Sequence, residues 1–277
     1  MKPTVSLPRR LSWFGIMAIA ALISLGPVIW TLSTSLKSQI ETQQFPPTLI
    51  PSDIRPSNYS QLFSSAEFMA AASTSAIVTI AVTVLVLLIA FPCAYGLVRL
   101  RAFGSRILLL LVALAQTVPA IVFLIPIYWM ASNVGLYDTQ TILVVVYTGL
   151  LVPFSTLILA AFLRGIPIEA EEAALVDGCS HFGVLRRIVL PMSRPALATA
   201  ALFTALYSWN EFLVAAVLGG DRARPLTVYI SHFVTQKTIE WGPMCAAVSV
   251  VLLPVLIAVI ALQRHLVTGL TMGAVKG

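Results

Sequence analysis

Six long apolar windows, at roughly 11–36, 69–98, 107–130, 140–163, 196–218 and 244–263, leave this chain one solvent to fold in. A helix rises about 1.5 Å per residue, so each window reaches across a hydrocarbon core about 30 Å thick. Lipid offers no water to unpaired backbone N–H and C=O groups, so a spanning segment closes its hydrogen bonds as a helix. Only 10% of the 277 residues are charged and 58% are hydrophobic; a soluble domain carries roughly a quarter charged. The expected fold is an all-α integral membrane protein, one domain over residues 1–277 with six transmembrane helices. Arg9-Arg10 before the first window resembles the start of a secretory signal. The apolar run continues to about Leu32, however, which is longer than a signal core and reads as an uncleaved first span.

The loops alternate between the two sides of the membrane, and their charge gives the orientation. Lys2, Arg9, Arg10, Arg99, Arg101, Arg106, Arg164, Arg186, Arg187, Arg194, Arg264 and Lys276 fall on one side. Lys37, Arg55, Arg222, Arg224 and Lys237 fall on the other, so the split of the 17 cations is twelve to five. The excess of Lys and Arg belongs inside, which puts both termini and the loop 164–195 in the cytoplasm. The net charge of +6 comes without any basic run interleaved with aromatics, so no nucleic-acid partner is expected. The basic turn Arg99 to Arg106 reads as an anchor at the headgroups.

No reaction chemistry is visible. The chain has no GxxxxGK[ST] phosphate loop and no HExxH. His181, His232 and His265 are far apart, and Cys93, Cys179 and Cys245 form no CxxC pair, so no metal site or disulfide framework is indicated. A carrier driven by an ion gradient keeps several ionisable groups inside its spans. This chain offers one, Glu211.

The cytoplasmic loop carries more pattern than a connection needs. Pro167 suits a first-turn position, and Glu169, Glu171 and Glu172 suit the positive end of a helix dipole, so a short helix is expected over Ile168 to Val176. Gly178 is a natural helix end. Ser180 can cap a second helix that carries Phe182, Leu185 and Val189 on one face, with Val184 and Ile188 beside them. Pro191 is expected to stop that helix, and Pro195 sits where the fifth span begins. Taken alone, such a segment reads either as an amphipathic helix lying on the headgroups or as a docking element.

Glu172-Ala173-Ala174-x-x-Asp177-Gly178-x-Ser180, followed by Leu185-Arg186-Arg187-Ile188-Val189-Leu190-Pro191, resembles the EAA loop of permease subunits in binding-protein-dependent ABC importers. Ser208-Trp209-Asn210-Glu211-Phe212-Leu213, Arg224-Pro225-Leu226 and the ending Gln263-Arg264 to Gly277 extend the resemblance along the chain, to the second permease subunit of maltose-type carbohydrate importers. Cys179 stands where alanine is usual, Leu185 where an aromatic is common, and Ser73-Thr74-Ser75 where many relatives carry an Asn-Ser pair. The resemblance implies that 164–195 is a coupling-helix loop seated in a groove of an ATP-hydrolysing subunit. Its coupling residues would be Glu172, Ala173, Ala174, Asp177, Gly178, Phe182, Leu185, Val189 and Pro191. It further implies a bacterial cytoplasmic membrane, a second non-identical permease, two ATPase subunits holding ATP and Mg2+, and an extracytoplasmic sugar-binding protein. No cofactor is expected on this chain, and it is not itself an enzyme. The cargo would be a carbohydrate or a related polyol phosphate.

The pathway is less clearly marked. Asn210 and Glu211 either face a central cavity or hold helices together near the outer interface, and Tyr128, Trp129, Tyr147 and Tyr207 are candidate lining residues. Pro92, Pro119 and Pro126 are expected to kink the second and third spans. The external loop 37–68 reads as an ordered cap or a plain connector. The tail 269–277 reads as a frayed end or an extended segment beside the ATPase. Two other classes remain, an ion-driven secondary carrier and a scaffold that recruits a soluble protein through 164–194.

Overall fold

The computed structural model describes residues 7–99, 104–235 and 238–274, with side chains described from 13 to 261 except at 106 and within the gaps. Lys2, Arg101, Lys237, Lys276 and the last three tail residues therefore lie outside the described residues, as do the side chains of Arg9, Arg10, Arg106 and Arg264. The fold is helical, and the one strand-like feature among these residues is an isolated bridge between Val234 and Ile239. Among the described residues four helices are long and apolar enough to cross a membrane: Trp13–Ser35, Ala66–Arg99, Gln140–Leu163 and Trp241–Ala261. The bent pair His181–Met192 and Arg194–Asn210, which turns through 74°, makes a fifth if counted as one span.

Two of the six expected spans are not single helices. The third, expected over 107–130, is split into Ser105–Ala115 and Ile121–Asn133. Pro119 supplies the reason, since it has no N–H to donate and its ring clashes with the preceding turn. Pro92 and Pro126, by contrast, sit inside unbroken helices. The fifth, expected over 196–218, runs from Arg194 to Asn210, stops, and resumes as Leu213–Leu218. Neither Pro nor Gly causes that stop. Glu211 turns extended (φ −68°, ψ 128°) and its carboxylate oxygens accept from the N–H groups of Val214 (2.9 Å) and Ala215 (3.1 Å), capping the helix that follows.

The chain divides into two compact units. One comprises Met1–Phe68 with Ile230–Pro254. In it the loop after the first helix is an ordered cap. Ser38 caps the short helix Gln39–Thr42, Arg55 N–H donates to the Leu36 carbonyl at 2.8 Å, and Asn58 donates to the carbonyls of Ser35 and Lys37 at 2.8 and 3.2 Å. Glu41 accepts from Ser52 N–H at 2.8 Å and Thr48 Oγ1 at 3.1 Å. The Ser52 backbone bond chiefly holds its carboxyl below the usual pKa.

The other unit comprises Met69–Tyr229 with Val255–Gly277. Val78, Val82, Val86, Ala90 and Ala94 recur every four residues on helix Ala66–Arg99, so they form one stripe. That stripe shares a core with Leu143, Tyr147, Leu151 and Leu159 of helix Gln140–Leu163. Ser155 and Thr204, hydroxyl to hydroxyl at 3.1 Å, join that helix to Arg194–Asn210 in the buried interior.

Candidate functional site: an elbow and a broken-helix cavity

Residues 169–192 fold as two short helices joined by a tight turn. Glu169–Val176 ends in a paired motif: Gly178 N–H donates to the Leu175 carbonyl and Cys179 N–H to the Ala174 carbonyl, both at 3.0 Å. This satisfies two carbonyls that a helix end otherwise leaves bare. It requires a left-handed residue, and Gly178 supplies it at φ +87°. Cys179 and Ala174 pack on the core side of the turn. Ser180 then caps the second helix, its hydroxyl accepting from Gly183 N–H at 3.2 Å.

The second helix, His181–Met192, differs from its expected form in two ways. It runs through Pro191 to Met192, and the chain turns only at Ser193. Its turn Leu185–Val189 is a π-helix, with Leu190 N–H reaching the carbonyl of Leu185 five residues back. Pro191 explains the wide turn: it cannot donate to the Arg187 carbonyl and its ring crowds it. The wide turn changes which side chains share a face. Val184 and Val189, five apart, both point into the core at 1% and 0% exposure, and Leu185 and Ile188 pack partly against it. Phe182, Leu185 and Val189 therefore do not form the single outward face expected at α-helical spacing. Phe182 is 71% exposed and Val176, at the end of the first helix, 88%, with Glu172, Ala173, Asp177, Gly178 and Pro191 also exposed and Ala174 buried. Val176 was not singled out from sequence; its one signal is an apolar residue in the last turn before a glycine cap.

Arg99 does not serve as the headgroup anchor that its place in a basic turn suggests. It turns inward, its Nε 2.6 Å from Glu171 Oε1 and its Nη2 donating to the Ile166 carbonyl at 2.7 Å. Tyr95, one turn back on the same helix, donates to Glu171 Oε2 at 3.2 Å.

Within the membrane-spanning part, the break in the third apolar segment opens onto a cavity of about 580 Å³. Gln116 and Pro119 line it from the break, Phe154 from helix Gln140–Leu163, and Phe203, Leu206 and Tyr207 from helix Arg194–Asn210. The Phe154 and Phe203 rings meet edge to face at 6.1 Å. Of the six residues expected along a pathway, Tyr207 alone lines this cavity. Tyr147 is buried and donates to Glu211 at 2.8 Å, which commits both groups to each other. Asn210 bonds its own helix through Leu206, Tyr128 packs edge to face on Tyr137, and Trp129 is exposed on the outside of its helix. Gln116 went unnoticed in the sequence; its polar side chain, just before Pro119 in an apolar window, was the available signal.

At the opposite end from the elbow, Asp138 joins two loops. Its Oδ1 accepts from Gly220, Arg222 and Ala223 N–H at 2.8, 3.0 and 2.9 Å, and its own N–H donates to the Leu218 carbonyl. Burial alone would raise its pKa, but the N–H bonds led by Ala223 and Arg222 outweigh it and hold the carboxyl below the usual range.

A family model described as binding-protein-dependent transport system inner membrane component matches residues 86–271. The sulfoquinovosyl glycerol transport system permease protein SmoH of Agrobacterium fabrum is 33% identical over 94% of this chain and 92% of its own length. The diacetylchitobiose uptake system permease protein DasC of Streptomyces coelicolor is 32% identical over 96% and 97%. The trehalose transport system permease protein SugB of Mycobacterium tuberculosis is 31% identical over 97% and 99%. Among solved structures, a chain of a bacterial ABC transporter involved in the import of the acidic polysaccharide alginate superposes with a TM-score of 0.79. It is 24% identical and covers 95% of this chain and 99% of that one.

Proposed function

This chain belongs to the binding-protein-dependent transport system inner membrane component family, and from that membership we propose that it forms one half of the pathway of a carbohydrate ABC importer. It is a permease subunit and not an enzyme; ATP is hydrolysed on partner subunits. It sits as a multi-pass protein in the inner membrane. The relatives named for sulfoquinovosyl glycerol, diacetylchitobiose and trehalose each align over more than nine tenths of the chain, which supports a carbohydrate as cargo.

The observation that carries the mechanism is the elbow. Two exposed apolar residues, Val176 and Phe182, and the exposed acids Glu172 and Asp177 stand on two short helices joined by the Gly178 turn and anchored by Val184 and Val189 in the core. Exposed apolar and acidic residues on an anchored mount suit docking into a protein groove. In this reading they seat in an ATPase subunit, and closure of an ATPase pair around ATP and Mg2+ moves the elbow as a lever. Glu172, Ala173, Asp177, Gly178, Phe182 and Pro191 meet the partner, while Ala174, Leu185 and Val189 hold the lever to the body. The twelve-to-five cation split supports both termini in the cytoplasm. The whole chain then acts as one transmembrane domain of six crossings, the third and fifth being broken helices. Its partners are a second, non-identical permease, two ATPase copies and an extracytoplasmic sugar-binding protein. Unwound backbone is tolerated at membrane depth where it lines a water-filled cavity, so the hollow beside Gln116 and Tyr207 is the best place for the path.

The test is a mild-detergent capture of tagged chain from native membranes. A P-loop ATPase and a second permease should be recovered with the native chain, and the ATPase lost with Phe182→Asp or Gly178→Val at normal membrane levels. Recovery of this chain alone, from a preparation that keeps other complexes intact, would overturn the reading.

A further inference from the structure

Helix Glu169–Val176 has almost no apolar face with which to hold the body. Of its eight residues only Ala174 and Glu171 are buried, and a single methyl group offers little to grip. A polar joint adds to what Ala174 supplies. Arg99, the last residue of helix Ala66–Arg99, reaches the Glu171 carboxylate at 2.6 Å and the Ile166 carbonyl at 2.7 Å. Its guanidinium thus grips both the first turn of the elbow and the strand of chain leading into it. Tyr95 lies four residues earlier, hence on the same helix face, and donates to the other carboxylate oxygen at 3.2 Å. The side chains of Arg99 and Glu171 are 11% and 6% exposed, so water does not compete for the pair. Charge-assisted bonds are directional, and a planar guanidinium with two acceptors fixes angle as well as distance. Such directional bonds resist sliding more than apolar packing does.

We propose that Tyr95, Arg99 and Glu171 form a rigid joint that makes helix Ala66–Arg99 move with the elbow, so that these three are positioning residues for coupling. The inference rests on the importer reading above. Connectivity alone ties the elbow to the helices that flank it in the chain, Gln140–Leu163 and Arg194–Asn210. The joint adds a helix more than 60 residues distant in sequence, recruited through side chains (Arg99 to Glu171, |i−j| = 72).

The experiment uses the assembled complex in lipid, without substrate. Native Cys93, exposed on helix Ala66–Arg99, and Glu169→Cys at the start of the elbow carry spin labels, with Cys179→Ala and Cys245→Ser removing the other thiols. The distance between labels is measured without nucleotide and after trapping with ATP and vanadate. The expected result is one narrow distance that is the same in both states, and an Arg99→Gln complex whose distance shifts or broadens on trapping. The reciprocal change, Arg99→Glu with Glu171→Arg, should restore the fixed distance. A native complex whose distance changes on trapping would overturn the joint, and so would an Arg99→Gln complex that keeps the native distance in both states. If Arg99→Gln prevents assembly, Arg99→Lys and Tyr95→Phe, which keep the charges and remove single bonds, are measured in its place with the same two outcomes. A native chain that captures no ATPase at all fails the importer reading instead, and is recognised before any distance is taken.

Discussion

At the scale of single residues, the carboxylates do structural work that their positions do not advertise. Asp138 ties the loop after Asn133 to the loop after Leu218 through three backbone N–H groups. Replacing it with alanine leaves those donors without a fixed acceptor, and we expect a loss of about 1–3 kcal/mol in unfolding stability measured in detergent. Its folded pKa lies below the ordinary value of about 3.9. The stabilisation is therefore fully present above that value and is lost as pH falls toward the lower folded pKa. Thermal unfolding followed downward from pH 5 should show Asp138→Asn losing less stability than the native chain. Gly220→Ala attacks the same clamp from the other side, because a β-carbon there would lie 2.7 Å from Asp138 Cγ, and it should lower the unfolding temperature as Asp138→Ala does. None of this was legible in sequence, since an aspartate in a loop looks alike whether it faces water or three amides. Glu211 was legible as an oddity and ambiguous as a role; the partners that commit it, Tyr147, Val214 and Ala215, include one 64 residues away.

At the scale of elements, local chemistry was readable and its geometric consequence was not. The elbow's first helix, the Gly178 turn and the Ser180 cap lie where capping rules put them, because those rules act between near neighbours. The face of the second helix was misassigned because α-helical spacing assumes about 3.6 residues per turn, and Pro191 widens one turn upstream. Gly178→Val places a β-branched residue at φ +87°, a left-handed conformation costing L-residues about 1–2 kcal/mol. Circular dichroism should remain native while ATPase capture falls, with Gly178→Asn, which tolerates that conformation better, retaining more of it. The broken third segment makes a second prediction. Gln116→Cys should react with a water-soluble thiol reagent in intact membranes faster than Leu110→Cys, whose side chain is exposed on an apolar helix surface. Adding Pro119→Ala, which permits the helix to run through the break, should slow it.

At the scale of the whole molecule, the apolar windows marked the segments suited to lipid; the kink expected at Pro119 is a full break, and the stop at Glu211 escaped notice because hydropathy counts composition and ignores backbone continuity. Orientation is open to direct measurement. With both termini inside, an impermeant maleimide should modify Gln43→Cys and Asp221→Cys in intact cells and reach Glu172→Cys only after permeabilisation. The first long helix adds a different kind of consequence. Phe14, Ile19, Leu22 and Ile23 on it are each more than half exposed within this chain, while Thr34 and Ser35 at its end are buried. What this chain's own fold asks of those four positions is length and oiliness, and exchanges among leucine, isoleucine, valine and phenylalanine there should leave the unfolding temperature of the isolated chain in detergent unchanged. At those positions the passage is spelled by composition, and the order of the letters is free to drift.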